Sequence, residues 1–417
     1  MLSFIVTNFR WIAGGFLLTY CSTFGQTYFI SASIGDWQML FDLSHGEIGR
    51  LYMLATLGSA ATLPFLGKLA DTVSAHRLVL FCMPMLALAA LLAGTANSPT
   101  TLLFAIYLLR LFGQGMMTHI ALTMTGRWFV AGRGRAVSLV VLGHQGGEAT
   151  LLLAFVTLSE QHGLTAGWYS AIAALLIAGL PMTYLCYRAP REPRSADAEV
   201  VALHTARRQW TRAEVIRDPA FYGVLAGVLA PAFIGTTIFY HQDYMTALNQ
   251  WPADWFARCL VVLAISTVIC ALIFGSVIDR LGAIRVLPFF LIPLTAACFA
   301  MAATDTPESL IVVMVLVGIS YGISSTLFGA LWPEVYGTEH LGAIRSLVMA
   351  AMVFSTAAGP GVTGTFIDLG VPLPSQMYGM AVYCILVSAV LALAAAQLSR
   401  RSKRGHPAPA AQGEICE

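Results

Sequence analysis

Charge is what this sequence has least of. Only 11% of its 417 residues are Asp, Glu, Lys or Arg, where a soluble domain carries about 25%. So few charges cannot cover a globular surface, so the surface meets lipid. A large charge imbalance is missing too: the net charge of +2 gives nucleic acid nothing to bind. The eight cysteines form no Cys-x-x-Cys pair and no Cys/His metal spacing. Cys21, Cys82, Cys186, Cys270, Cys298 and Cys384 lie in apolar runs and read as small buried side chains. There is no Gly-x4-Gly-Lys-Ser/Thr loop for ATP, and no nucleophile–base constellation stands out. Neither a cofactor nor an enzymatic site is therefore expected. The first apolar run, behind Arg10, is too long for a signal-peptide core and leads into a first span.

What the sequence has is apolar length. Hydrophobic residues make up 58%, in continuous runs of about 20 residues, the length that crosses a bilayer as a helix. Twelve such runs are predicted, over 9–31, 48–70, 78–96, 102–125, 136–158, 166–187, 221–244, 255–278, 284–303, 310–332, 343–367 and 377–398. Continuity excludes barrel strands, which alternate over about 10 residues. With both termini in the cytoplasm, only Arg50 and Arg258 of the 23 basic residues fall outside, and Arg110 lies within a span. That sorting follows the positive-inside rule. It predicts an inner-membrane protein with a six-helix half over 1–187, a cytoplasmic linker over 188–218, a second half over 219–398 and a disordered cytoplasmic tail over 399–417. Within the linker, Thr211-Arg212-Ala213-Glu214 has the form of a helix capping box.

The halves repeat one another. Gly67-Lys68-Leu69-Ala70-Asp71 ends the second span and Gly275-Ser276-Val277-Ile278-Asp279 ends the eighth, 208 residues later. Gly134-Arg135-Ala136-Val137-Ser138 and Gly342-Ala343-Ile344-Arg345-Ser346 recur at the same offset of 208. An even number of helices per unit makes the two repeats parallel. In these residues the chain resembles the major facilitator superfamily, whose signature Gly-x3-Asp-Arg/Lys-x-Gly-Arg-Arg/Lys joins helices two and three, with a weaker copy between eight and nine. Gly275, Asp279, Arg280 and Gly282 match the second copy. The first keeps Gly67 and Asp71 and has Thr72 and Ser74 where the family prefers a base and Gly, with His76-Arg77 at the basic end. Trp128-Phe129 followed by Arg133-Gly134-Arg135-Ala136 is similar to loops of the oxalate/formate and monocarboxylate branch. The resemblance implies an all-α membrane protein of twelve helices in two parallel repeats, with gating residues Gly67, Asp71, Arg77, Gly275, Asp279 and Arg280. Independently of the name, Gly67 and Gly275 suit close helix approach, and Asp71 and Asp279 suit a breakable latch at helix ends.

Two ionisable residues stand deep in spans. Arg110 in the fourth and Glu148 in the fifth are each about ten residues, or roughly 15 Å, from a helix end, near the midplane. Equal depth makes an ion pair between them, or a shared ligand, geometrically possible. Arg110 recurs with Gln114 and Thr118, His144 with Glu148 beside Gln145, and Thr19, Ser22, Thr23 and Gln26 form a third polar stripe. Gly143 and Gly147 suit packing against a neighbour, and His119 falls on the face opposite Arg110. The second half has no deep charge; it offers His241 and Gln242 near an outer helix end, Tyr321 in the tenth span, and Pro231 and Gly359-Pro360-Gly361 as sites of bending. Arg110-Leu111-Phe112-Gly113-Gln114-Gly115 is similar to the Arg-and-Gly signature of the family's fourth helix, with its Gln and Gly displaced. The expected activity is alternating-access transport of a small organic anion, such as a carboxylate, by a monomer. Arg110, Gln114, Gln26, Gln145, His241 and Tyr321 would bind the solute, with Glu148 and His144 coupling it to protons. Proton-driven efflux of amphipathic compounds is the alternative, and a non-transporting membrane sensor is the rival from another class.

Overall fold

The structure, a computed structural model, describes residues 2–67, 69–129, 133–189, 209–252, 254–337 and 340–404. Among these residues there are helices and no strand. The first half contains α1 (Leu2–Cys21), α2 (Thr27–Ser31), α3 (Ile34–Phe41), α4 (His45–Gly67), α5 (Leu69–Thr72), α6 (Ala75–Gly94), α7 (Pro99–Leu108), α8 (Thr118–Trp128), α9 (Arg133–His162), α10 (Leu164–Ala173) and α11 (Leu180–Tyr187). A π-helical segment, Leu109–Met117, joins α7 to α8, and another, Ala174–Gly179, joins α10 to α11. After α12 (Arg212–Ile216) the second half contains α13 (Pro219–Tyr240), α14 (Gln242–Leu248), α15 (Trp255–Leu281), α16 (Ala283–Val286), α17 (Ile292–Ala302), α18 (Pro307–Tyr336), α19 (Leu341–Asp368) and α20 (Leu373–Arg404).

Among the described residues, ten helical stretches are long and apolar enough to cross a membrane. Side chains such as Ile177, Leu272 and Leu393 stand exposed on them, more than 70% accessible, as a lipid-facing belt requires. The chain is an integral membrane protein. The first predicted span is not the continuous helix expected. It unwinds into a 3₁₀ turn at Ser22–Gly25, and Gln26 is extended (φ −80°, ψ 155°) before α2 resumes. The local cause is competition for backbone acceptors: Ser22 Oγ donates to Thr19 O at 2.7 Å, and Thr19 Oγ1 donates to Val140 O on α9 at 2.6 Å. Irregular backbone at this depth persists only where protein or a cavity covers it, and Ser22 to Gly25 are all buried.

Other expectations change in the structure. α13 runs through Pro231 and α19 through Pro360 as unbroken helices. The Gly-Pro-Gly run is a packing notch instead. A Cβ on Gly359 would stand 3.0 Å from Thr237 Oγ1, and one on Gly361 would stand 3.1 Å from Met53 Sδ in the other half. The last helix continues past the predicted tail boundary at 399 to Arg404; residues 405–417 lie outside the described residues. Most of the linker, 190–208, also lies outside them. Its end forms the capping box read from sequence: Thr211 N donates to Glu214 Oε2 at 2.8 Å, and Glu214 N to Thr211 Oγ1 at 3.4 Å.

The linker is anchored to the second half by Asp218. Its carboxylate accepts two bonds from Arg401, of 2.7 and 2.9 Å, one from Tyr336 Oη at 3.0 Å, and caps α13 through Ala220 N at 3.1 Å. Burial alone would push Asp218 up; the bonds from Arg401, Ala220 and Tyr336 outweigh it and hold the carboxyl below its usual range.

The two halves meet at the end of the bundle away from the linker, here the distal end. Every hydrogen bond joining the halves among the described residues lies there. Ser31 Oγ donates to Phe239 O at 2.6 Å, Gly35 N to Asp243 Oδ2 at 3.0 Å, and Ser44 Oγ and Gly46 N to Asp368 Oδ2 at 2.8 Å each. Gln242 Nε2 donates to Tyr28 O and Ser31 Oγ, and Arg50 Nη1 to Thr365 Oγ1. Close backbone approach between α4 and α19 supports them: a Cβ on Gly49 would stand 2.5 Å from Pro360 O.

Candidate functional site

The break in the first span creates the surroundings of Arg110. Residues 109–117 widen to π-helix, which sets Gly113 against Gly25. A Cβ on Gly25 would stand 2.7 Å from Gly113 Cα, and one on Gly113 would stand 2.6 Å from Gly25 Cα. Inserted π-turns re-aim the side chains around them, and here Arg110 points across to the break. Its Nη1 donates to Thr27 Oγ1 at 3.1 Å and to the freed Gly25 carbonyl at 3.4 Å. Thr27 Oγ1 and Tyr52 Oη share a bond of 2.7 Å, and Arg110 Cζ lies 5.5 Å from the centroid of the Tyr52 ring. Arg110 is 3% exposed, yet its Nε has no hydrogen-bond partner. Three spans of one half thus fix one edge of the guanidinium and leave another donor free.

Because Gly25 and Gly113 meet backbone to backbone, neither can accommodate a methyl group by moving a side chain. Gly25→Ala and Gly113→Ala should each destabilise the protein by about 1–3 kcal/mol, read as a lower melting temperature in detergent. Gly275→Ala is the internal control. No atom lies within 4 Å of a Cβ there, so its melting temperature should not fall.

Glu148 sits on α9, which packs on α1 through Gly143 and Gly147 as the sequence spacing predicts. A Cβ on Gly147 would stand 2.8 Å from Tyr20 O, and one on Gly143 would stand 2.9 Å from Tyr20 N. Glu148 is 5% exposed and, among the described residues, has no hydrogen-bond or ion-pair partner. No ion pair joins it to Arg110. Tyr28 and, from the second half, Tyr321 lie within its electrostatic reach. Phe239 links these rings, 6.4 Å from Tyr28 and 6.1 Å from Tyr321. The two buried ionisable residues therefore occupy separate settings, Arg110 bonded within the first half and Glu148 within electrostatic reach of a tyrosine from each half.

His144 joins this region through Ser22 Oγ, 3.2 Å from its Nδ1. Gln26, Gln114 and Gln145 are half-buried near the break and on the two charged helices. The structure does not bring His241 into this group. It is buried at the distal end with Nε2 2.8 Å from Thr363 Oγ1, while its neighbour Gln242 bridges the halves. Tyr321 places its hydroxyl end against Gly235.

Of the expected gating residues, Gly67 does sit in a close approach. His119 Nε2 is 3.2 Å from its carbonyl oxygen and 3.3 Å from where a Cβ would stand. Gly275 does not: the linker end of α15 faces open space at this point. Arg77 and Arg280 are exposed, and the side chains of Asp71 and Asp279 lie outside the described residues. Sequence reasoning missed Glu334 at the end of α18, whose Oε2 accepts from Ala283 N at 2.9 Å and caps the helix after Gly282. Thr27, Tyr52 and Tyr28 were missed as well. Thr27 and Tyr28 adjoin the Gln26 stripe in sequence; Tyr52, on α4, carries no such signal.

A bundle of apolar helices with a 208-residue sequence repeat, and with Arg110 and Glu148 buried inside it without an ion pair between them, is the architecture of an integral membrane protein able to handle a solute. The sequence profile of the Major Facilitator Superfamily matches residues 12–252 and 242–415, and the chain belongs to that family. No curated protein matches it in sequence. Its fold is similar to that of a D-xylose–proton symporter, with a TM-score of 0.70 and 13% identity over 92% of this chain and 97% of that one. A bacterial homolog of the human lysosomal transporter Spinster, in an inward-facing and occupied conformation, gives a TM-score of 0.65 and 15% identity over 95% and 98%. The nucleoside transporter NupG gives a TM-score of 0.63 and 15% identity over 95% and 99%.

Proposed function

We propose that the chain is a secondary transporter that moves a small organic anion, a carboxylate, together with a proton. The observation that carries this reading is that Arg110 and Glu148 are both buried inside apolar helices and form no ion pair with each other. A charge inside a membrane normally pairs or faces a cavity. Arg110 keeps a free donor in the planar arrangement that suits a carboxylate. Glu148 has no base beside it, so a proton is the counter-charge it takes up. The loop similarity at Trp128-Phe129 and Arg133-Gly134-Arg135-Ala136 to the oxalate/formate and monocarboxylate branch supports the same solute class.

α4, and α1 with its continuation α2, complete the ten apolar stretches to twelve spans. The basic residues of the linker and tail support a cytoplasmic linker end, in our reading at the inner membrane of a bacterial cell. With the halves held together distally, the molecule is then open inward and acts as a monomer. Efflux of amphipathic compounds has less support. An apolar recess of about 620 Å³, lined by Phe233, Phe354, Phe366, Met380 and Tyr383, lies on α13, α19 and α20 and contains neither Arg110 nor Glu148.

A thermal-shift screen of small carboxylates on purified protein tests the solute class, since a ligand that binds the folded state raises its melting temperature. At least one carboxylate should stabilise the wild type and not Arg110→Ala. Stabilisation by neutral or cationic amphiphiles alone would point to the alternative.

A further inference from the structure

The distal closure contains a titratable group that neither Arg110 nor Glu148 accounts for. Asp243 stands in the first turn of α14 and belongs to the second half. Its Oδ2 accepts from Gly35 N at 3.0 Å, in the first turn of α3 and the opposite half. The two residues are 208 apart, as are Ser31 and Phe239, bonded one turn earlier at 2.6 Å. The repeat axis therefore passes through this contact, and the contact exists only while the distal end is shut. A Cβ on Gly35 would stand 3.2 Å from the carboxylate oxygen, so the fit is close.

No base answers this carboxylate among the described residues. Asp36, next to Gly35, presents a like charge from α3. Tyr240, at the end of α13, adds a hydroxyl group within electrostatic reach. His241, His45 and Arg50, at the same end, are engaged with other partners: His241 bonds Thr363, His45 bonds Gln38 and packs on Tyr244, and Arg50 lies by Thr365. Closing the distal end thus half-buries a carboxylate and sets it near the exposed Asp36, with one backbone N–H in return. Both changes disfavour the ionised form.

The geometry points to Asp243 as a second proton-binding site, whose protonation favours the state in which the distal end is shut. Burial pushes Asp243 up, the Gly35 bond pulls it back and Asp36 pushes again, which leaves it at about 6. In the open state, exposed to water, it would return toward the ordinary value of about 3.9. The sign follows from that order. A group that binds its proton more tightly in the closed state contributes to closure below the open-state value, and the contribution is lost as pH rises through about 6. Between pH 7 and pH 5 the closed-to-open ratio should rise about tenfold. On the outward side of the membrane, acid would then shut the gate behind a loaded carrier.

The test is a pulsed dipolar distance measurement between nitroxides on cysteines introduced at Met39 and Leu248, with reactive native cysteines replaced by serine. These positions are exposed, one in each half at the distal end. Asp368→Ala, which removes the neighbouring bonds to Ser44 and Gly46, serves as the background that populates the open state. The short-distance population should grow as pH falls from 7 to 5. Asp243→Asn should be shut across that range without a pH response, and Asp36→Asn should shift the balance toward closure at pH 7. Glu148→Gln should leave the response intact, which keeps this site separate from the coupling residue. A distance distribution that does not change with pH, or a response that survives Asp243→Asn or disappears with Glu148→Gln, would overturn the assignment.

Discussion

Replacing Arg110 by alanine should severely weaken carboxylate transport in proteoliposomes, and Arg110→Lys should also impair it. Alanine removes the guanidinium from a site where Nε has no protein partner, so it deletes the proposed anchor for the anion. Lysine keeps the charge but cannot hold Thr27 and Gly25 with one edge while presenting a second, coplanar donor. A charge-assisted hydrogen bond lost at the solute corresponds to about 1.5–3 kcal/mol, or roughly 10- to 100-fold in half-saturation. Alanine also leaves the Gly25 carbonyl and Thr27 without Arg110, so melting temperatures of both variants must accompany the transport rates. A variant that folds as wild type and transports as wild type would remove Arg110 from the solute site. A loss of transport without loss of fold would place it there.

The parts of this arrangement differ in how far they can be read from the chain. A charge in an apolar run is conspicuous, so Arg110 and Glu148 are visible from composition alone. The 208-residue repeat is visible as well and has a direct physical counterpart, since Ser31 bonds Phe239 and Gly35 bonds Asp243 at that same offset. What the sequence cannot supply is azimuth. Counting residues gives Arg110 and Glu148 one depth, but the π-helical segment at 109–117 turns Arg110 toward Thr27 and Tyr52, while Glu148 on α9 lies within electrostatic reach of Tyr28 and Tyr321. The break at Ser22–Gln26 is hidden for a related reason. The run over 9–31 is apolar enough as a whole to pass as a span despite its polar stripe, and Thr19 contributes to unwinding only because Val140 of another helix offers a carbonyl. Similarly, Gly67 and Gly275 are equivalent in the repeat but not in the fold, because one packs on His119 and the other faces open space.

Glu148 carries the second large expected effect. By the repeat offset its counterpart in the other half is Thr356, and that of Arg110 is Gly318, packed against Leu263 and Ser266. The two ionisable residues deep in the spans therefore both lie in the first half, and Tyr321 comes within electrostatic reach of Glu148 from the second. A carboxyl so placed can exchange its proton with one side and then the other as the halves rock, which is what coupling requires. Its charge is not balanced by Arg110, so an arriving anion does not compete with Glu148 for a shared partner. The two are linked through the state of the bundle instead. Glu148→Gln fixes the protonated form in shape and charge.

The decisive comparison reconstitutes wild type and Glu148→Gln in proteoliposomes and measures two modes with a carboxylate identified by thermal shift. One is accumulation against a gradient driven by a pH difference. The other is exchange of labelled for unlabelled solute at equal concentrations and equal pH. Proton coupling through Glu148 predicts that the variant loses accumulation, at least tenfold, and retains exchange within a few-fold of wild type. Unchanged pH-driven accumulation in Glu148→Gln would contradict it.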